Sequence, residues 1–590
     1  MNWARFEDGA SNGGGVNGYC RHVALALAAR GHQVAWLHSG LTYVADSAVG
    51  TLQPCEIRAM PPLRHPQTSI EVYEVINSPV ISPGIFQCRE PGAEVSSSTL
   101  ETEIARFFAA YRPNIVHFHN IEGFSAACVA AARGCGAKVL FSLHNYYALC
   151  PQVYLMKNGR EPCYDYDSGH ACVSCLASLN PPDPSQEQRL RAGWRPDQTP
   201  QPPVPPAPLP SSPPQMTSRP GLLTRIVRRA GRIITHVLSP APGRDTADLQ
   251  HNITPPPPPL PPPPPLPGVA ISTHHLPHSV RTPDVSSEPA SASLSDRAAQ
   301  RTWHLPIVNS MSPPLPSRRA LNEYGLRREA MISMLSSCDK VIAVSDFVSR
   351  LFRNMGVRED KLCTLTIGTQ MAQLAAENVP LERLRAAAAQ PDSPHLASGR
   401  VRLAFMGYNN YFKGLGMLID SLELLPPDAL ANIELFVWAK DIEPDRPRLE
   451  ALGARLWAVH VRDGYNYNDV PDMLCGIDAG LVPSVWWDNG PQTVMEFLAC
   501  GVPVIGAAVG GIVDFVEEGK NGFLFEGNNR QALAGVLERI ALYPQALREV
   551  RRQLMLGRTA SGPAAVLTIA QHAARLEELY RQLQEQRKDL

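Results

Sequence analysis

The stretch from Pro483 to Phe525 reads PSVWWDNGPQTVMEFLACGVPVIGAAVGGIVDFVEEGKNGFLF. Asn489-Gly490-Pro491 marks a turn, and Thr493 to Cys500 has the spacing of a short helix that Gly501 stops. Val502 to Ile505 is a buried-strand run, and Gly510-Gly511 opens another loop. Asp488 thus falls in the loop before the helix and Glu496 on its second turn. An acidic pair on one loop–helix unit suits the hydroxyls of a sugar or ribose, which it holds by charge-assisted hydrogen bonds. Spacing alone favours the plainer reading of two solvated surface charges.

Working back from this stretch, the same alternation of short apolar strands and helices recurs. Strand patterns fall at Arg400 to Met406, Ile433 to Trp438, Leu456 to Val461 and Ala479 to Pro483. Nearer the start, Tyr19 to Arg30 reads as a helix ended by Gly31, and Gln33 to His38 as a strand. Leu100 to Tyr111 and Phe124 to Arg133 read as helices, Asn114 to His119 and Lys138 to Leu143 as strands. Arg318 to Ser337 reads as a helix and Lys340 to Val344 as a strand. Strands separated by helices of this length predict an α/β fold of two Rossmann-like, doubly wound domains. Met1 to Ser11 make a poor first strand: either that strand is short and polar, or the recorded start lies downstream of the true one.

Between the two units the composition changes. Of 57 prolines in 590 residues, many crowd into Pro202 to Pro214 and Pro255 to Pro267. Such runs favour polyproline II, and this region is expected to be a disordered insertion in the N-terminal domain. Within it Leu222 to Leu238 is basic and amphipathic, either a peripheral membrane contact or a solvated fragment. The expected organisation is 1–178 and 317–397 for the N-terminal domain, 179–316 for the insertion, 398–558 for the C-terminal domain, and 559–590 for a helix crossing back. A net charge of -1 gives no global attraction to nucleic acid. Without an evident leader, and with 13 cysteines, the expected compartment is the reducing cytoplasm, with room for peripheral contact with the inner membrane face.

Three features point to a phosphorylated ligand. Gly13-Gly14-Gly15 precedes a helix, where backbone N–H groups and the helix dipole favour an anion. Gly407-Tyr408 with Lys413-Gly414 again joins a strand to a helix, with Lys413 as a positive charge for a diphosphate. The third is the acidic pair. Separately, Cys150, Cys163, Cys172 and Cys175 end in a C-x₂-C knuckle that suits tetrahedral zinc; an iron–sulfur cluster or unrelated thiols are the alternatives. His117 and His119 share one face of a strand end, as metal ligands or as polar lining of a cleft. Cys128 and Cys500 read as core thiols.

Taken in order, these motifs resemble the glycosyltransferase group 1 family, carbohydrate-active enzyme family four, which is retaining and has a GT-B fold. The residues that carry the resemblance are Asp488 to Glu496, Ala499 to Ile505, Gly510-Gly511, His117-Phe118-His119, Ser142-Leu143-His144-Asn145, the stretch around Ser345 and Phe405-Met406-Gly407 with Lys413-Gly414. The resemblance implies that Glu496 holds the ribose and Asp488 contacts the transferred sugar. It implies that Lys413 neutralises the diphosphate and that Gly14 and Gly15 line the phosphate or acceptor side. His144 would face the donor sugar and acceptor, and Gly407, Gly490 and Thr493 would complete the nucleotide-sugar site. The implied donor is a UDP- or GDP-sugar, with a glycan or lipid-linked acceptor and no catalytic metal. Two departures stand out: Asp488 where the family usually has Glu, and Tyr408 where it often has Arg. A different reading is a decayed transferase whose Pro-rich insertion recruits SH3- or WW-like partners.

Overall fold

In the N-terminal half, Lys138 to Leu143 is an almost uninterrupted apolar run, as a strand covered on both faces requires. The computed structural model describes residues 1–2, 4–6, 14–44, 52–65, 68–80, 91–179, 319–377, 398–557 and 566–586. Gly13, both Pro-rich runs and Leu222 to Leu238 lie outside the described residues.

The N-terminal half begins with helix α1 (Gly14–Ala29). Strands β1 (Val34–Thr42), β2 (Glu56–His65) and β3 (Thr68–Ile76) form a sheet of order β1-β3-β2, with β2 antiparallel to β3. After helix α2 (Ser98–Tyr111) come β4 (Ile115–Phe118), α3 (Cys128–Gly134) and β5 (Lys138–Leu143). Helix α4 (His170–Leu179) follows, and α5 (Glu323–Ser337) comes after the undescribed stretch. Strand β6 (Lys340–Ala343), α6 (Asp346–Asn354) and β7 (Leu362–Thr364) complete a parallel sheet of order β4-β5-β6-β7.

Residues 1–2 sit between the two N-terminal sheets. Asn2 bridges His38 in parallel and its N–H donates to Leu37 O. On the other side the His119 N–H donates to Met1 O. A two-residue bridge therefore holds the place expected of a first strand.

The C-terminal half is regular. Strands β8 (Val401–Tyr408), β9 (Ile433–Lys440), β10 (Ala458–Asp463), β11 (Ala479–Val482), β12 (Val504–Ala507) and β13 (Gly522–Phe525) pair in the order β10-β9-β8-β11-β12-β13. Every pairing is parallel. Helix α7 (Leu415–Leu422) follows β8, and α8 (Gln492–Ala499) lies between β11 and β12. The chain reverses direction across the sheet between β8 and β11. In open parallel sheets ligands bind beyond the carboxyl ends of the strands at such a switch point.

Helix α9 (Ile569–Glu585) packs against α1. It starts on a capping box, in which the Thr568 hydroxyl accepts from Gln571 N and the Gln571 side chain accepts from Thr568 N. Two α/β halves, each containing a parallel sheet, joined in this way form the GT-B arrangement implied by the resemblance. Cys128 and Cys500 are buried, as core thiols should be.

Candidate active site

The loops after β8 and β11 meet at the switch point. Lys413, from the first, places its Nζ 2.9 Å from Oδ2 of Asp488, from the second. Burial alone would depress the Lys413 ammonium; Asp488, with help from Tyr154 and Glu496, outweighs that and raises it. Gly414 makes this approach possible. Its φ is +78°, and a Cβ there would stand 1.8 Å from Pro483 O.

Glu496 lies on the inner face of α8 and is 4% exposed. Burial lifts its carboxyl from its ordinary 4.5 to about 7, against the pull of the Tyr467 hydrogen bond and of Lys413. The Tyr467 hydroxyl in turn accepts from Met371 N at 3.1 Å. Gln492 lies one turn before Glu496, on the same face of the helix. Its Nε2 donates to Gly15 O at 2.8 Å. That contact brings the first turns of α1 and α8 together, so two helix N-termini with free N–H groups converge. A Cβ at Gly15 would meet Gln492 Oε1 at 2.4 Å, so a side chain there has to displace the end of Gln492.

Tyr19 is one turn beyond Gly15 on α1, and its ring centroid lies 4.9 Å from that of His144. His144 follows β5, and its Nε2 is 3.2 Å from Nδ1 of His119. Burial, and then the neighbouring His572, pushes the His144 imidazole down to about 3, so it is neutral at ordinary pH. His119 is lowered in the same direction by burial and by His117. The His117 ring stacks on His119 with centroids 4.0 Å apart and is tied to Ser142 Oγ and Tyr580 Oη. Tyr19 Oη also reaches Nε2 of His572 at 2.6 Å.

Contacts therefore link Gly15 to Glu496, Lys413 and Asp488 through Gln492 on α8, and to His144 through Tyr19. Gly14 starts α1, and Gly407 sits near the end of β8. Gly490 packs against Val344, where a Cβ would be 3.1 Å from Cγ2. Thr493 is half-buried on the first turn of α8. The segment that carries Asp488 also holds buried polar atoms without partners among the described residues: both side-chain polar atoms of Asn489, Ser484 Oγ and Trp486 Nε1. Such groups need a reason in a folded protein, and a polar ligand is one.

The sequence reading missed Tyr467, Gln492 and Tyr154. Tyr467 follows the carboxyl end of β10, where the switch-point rule looks for ligand contacts, and the run Tyr465-Asn466-Tyr467 was the available signal. Tyr154 stacks on Phe412 with centroids 3.9 Å apart, bringing the N-terminal half over the Lys413 loop.

Burial, and then the neighbouring cysteines, push the Cys150, Cys163 and Cys172 thiols up. Cys175 Sγ accepts from Gln152 Nε2 at 2.8 Å and from Asn158 N at 3.0 Å. Around tetrahedral zinc, sulfurs stand about 3.8 Å apart. No three of these four lie within 4.8 Å of one another, so Cys150, Cys163, Cys172 and Cys175 do not form the expected ligand set in this structure. No helix among the described residues is long and apolar enough to cross a membrane.

Comparison with known proteins follows the same lines. A family model described as glycosyl transferases group 1 matches residues 389–553, and one described as a glycosyl transferase 4-like domain matches residues 14–170. The chain is 26% identical over 231 residues to a Salmonella typhimurium protein named for colanic acid biosynthesis, glycosyltransferase WcaL, covering 38% of this chain and 52% of that one. It is 24% identical over 267 residues to the D-inositol 3-phosphate glycosyltransferase of Thermomonospora curvata, covering 42% and 60%. The chain thus spans about half the length of the curated relatives it matches. Among solved structures, sucrose-phosphate synthase from Thermosynechococcus elongatus aligns with a TM-score of 0.49 at 14% identity, over 99% of this chain and 98% of that one. Anabaena Alr3699/HepE in complex with UDP and glucose aligns with a TM-score of 0.33 at 17% identity, over 44% and 67%. These two likenesses are weak, and the fold rests on the chain's own parallel sheets.

Proposed function

Because the chain belongs to the glycosyl transferases group 1 family, we propose that it moves a sugar, with retention, from a nucleoside-diphosphate sugar to a glycan or lipid-linked acceptor. The observation that carries this reading is the meeting of Lys413 and Asp488 at the switch point, with Glu496 within electrostatic reach of Lys413.

Breaking the bond between sugar and diphosphate builds negative charge on the leaving oxygens. Lys413 and the two converging helix N-termini supply fixed positive potential there, which lowers the barrier. Glu496, as carboxylate, accepts hydrogen bonds from the ribose hydroxyls. Asp488 holds Lys413 and offers its second oxygen to the sugar. His144, neutral at working pH, hydrogen-bonds a sugar or acceptor hydroxyl and does not act as an imidazolium acid. Asp488 is engaged with Lys413, which disfavours it as a nucleophile. The acceptor hydroxyl then attacks from the face the diphosphate leaves, and a leaving phosphate oxygen takes its proton. UDP- or GDP-sugars are the donors to try first.

The test is a thermal-shift panel of UDP-, GDP- and ADP-sugars on the wild type and Glu496→Ala. A single base should raise the melting temperature of the wild type and leave the variant unmoved. No response to any donor in the folded wild type overturns the reading. The anomeric configuration of the product, read by proton coupling, decides between retention and inversion.

A further inference from the structure

We infer that Cys20, His119 and His144 form a site for one divalent transition-metal ion of the zinc class, occupied in place of substrate. Cys20 Sγ and a ring nitrogen from each histidine all lie within 4.8 Å of one another. Among the described residues, no other group of three or more His, Cys, Asp or Glu side chains gathers so closely. One pair of their ring nitrogens, His119 Nδ1 and His144 Nε2, lies 3.2 Å apart.

Zinc–nitrogen bonds of 2.0–2.1 Å at tetrahedral angles hold two nitrogens about 3.3 Å apart, so the histidine pair already has ligand spacing. With a zinc–sulfur bond near 2.3 Å, sulfur stands about 3.6 Å from each nitrogen, so from the 4.8 Å limit Cys20 has to close by about 1.2 Å at most. That is within reach of a small side-chain rotation. One thiolate and two imidazoles favour zinc, cobalt or copper over magnesium or calcium.

The surroundings hold the ligands in place. His117 stacks on His119 and is itself tied to Ser142 and Tyr580, while Tyr19 packs beside His144. Ring packing of this kind limits the rotation of the two imidazoles. His119 and His144 are half-buried, and three protein ligands leave a fourth position for water.

Binding is a ligand exchange that balances without an oxidant. The Cys20 thiol loses its proton to solvent and the sulfur bonds the metal. The imidazole that donates in the His119–His144 contact moves its proton to its other ring nitrogen, and both lone pairs turn to the metal. The occupied site withdraws His144 from the sugar, so the ion acts as an inhibitor. That second half rests on the transferase reading; the metal site itself does not.

The experiment is a cobalt(II) titration of the metal-stripped full-length protein, followed by absorption. One equivalent should produce tetrahedral d–d bands and a sulfur-to-cobalt charge-transfer band. Cys20→Ala should abolish the charge-transfer band and weaken binding beyond the roughly 10- to 100-fold that loss of an outer contact costs. Cys175→Ala should leave both unchanged. Should Cys20→Ala fail to fold, X-ray absorption of the zinc-loaded wild type gives the same answer, with one sulfur and two imidazoles expected. A band that survives Cys20→Ala but is lost in Cys175→Ala, or a zinc shell of four sulfurs, overturns the site. Zinc should lower transfer by the wild type at concentrations that leave Cys20→Ala active; a bound metal without inhibition overturns the inhibitory role alone. Absence of transfer by metal-free protein with every donor counts against the transferase reading and leaves the metal result standing.

Discussion

Lys413 and Asp488 form an ion pair, 2.9 Å from Nζ to Oδ2, between the two loops at which the C-terminal sheet reverses its order. The residues are 75 positions apart in the chain, yet the strands that deliver them are neighbours. A diphosphate entering this corner has to share the ammonium with Asp488. Lys413→Ala should therefore lower turnover by about 10²- to 10³-fold, the usual cost of removing one group that stabilises developing negative charge. In a denaturation double-mutant cycle, Lys413→Met and Asp488→Asn should couple by about 1 kcal/mol or more. Zero coupling means that the two do not act as a pair.

Glu496 links binding and stability to pH. Its folded value of about 7 lies above its ordinary 4.5, so the folded state holds the proton more tightly than the unfolded one. The stability this contributes is fully present below about pH 4.5 and is lost as pH rises through about 7. The melting temperature of the wild type relative to Glu496→Gln should fall across that window and then level off. Donor affinity should run the opposite way, rising with pH as the carboxylate forms, and Glu496→Gln should flatten it. A wild type and variant that track each other across the window overturn this assignment.

Gly414 and Gly15 make opposite predictions. At Gly414 a Cβ meets the backbone oxygen of Pro483, which cannot swing away, and the positive φ adds strain. Gly414→Ala should cost about 2 kcal/mol or more in urea denaturation. At Gly15 the obstacle is the end of the flexible Gln492 side chain. Gly15→Ala should unfold near the wild-type midpoint but bind the donor more weakly, because the meeting of the two helix N-termini is disturbed.

The contacts of α9 differ in weight. Tyr19 and His572 meet in a buried hydrogen bond, so Tyr19→Phe should destabilise by about 1–3 kcal/mol. The Glu577 pairs with Arg30 and His32 lie at the surface, and Glu577→Ala should cost no more than about 1 kcal/mol. Chemical denaturation of the two variants side by side checks the order.

Much of the architecture could be read from apolar runs. Lys138 to Leu143 begins and ends where its pattern does, since a strand buried on both faces has few polar positions to blur its limits. Strand β2 escaped notice because Pro61-Pro62 reads as a break; the structure keeps the strand and shifts its register between Met60 and Leu63. Helix α1 starts at Gly14, five residues before its apolar periodicity becomes visible, because glycines give no signal for helix. In the site, Glu496, Asp488 and Lys413 stood out through their local motifs. Tyr467, Cys20 and His572 did not, because what matters about each is a neighbour supplied by a distant part of the chain. The cysteine knuckle shows the reverse: a clear local pattern whose sulfurs do not gather.

The bond between Tyr19 and His572 also sets an order of events during synthesis. Tyr19 leaves the ribosome 553 residues before its partner. Until then α1 lacks one of the contacts that hold it beside His144, and the N-terminal half waits, partly finished, through the making of everything between. Partly assembled α/β units expose apolar surface and aggregate. Chains stalled or cleaved before residue 572 should thus appear as chaperone-bound or insoluble material rather than as a working fragment.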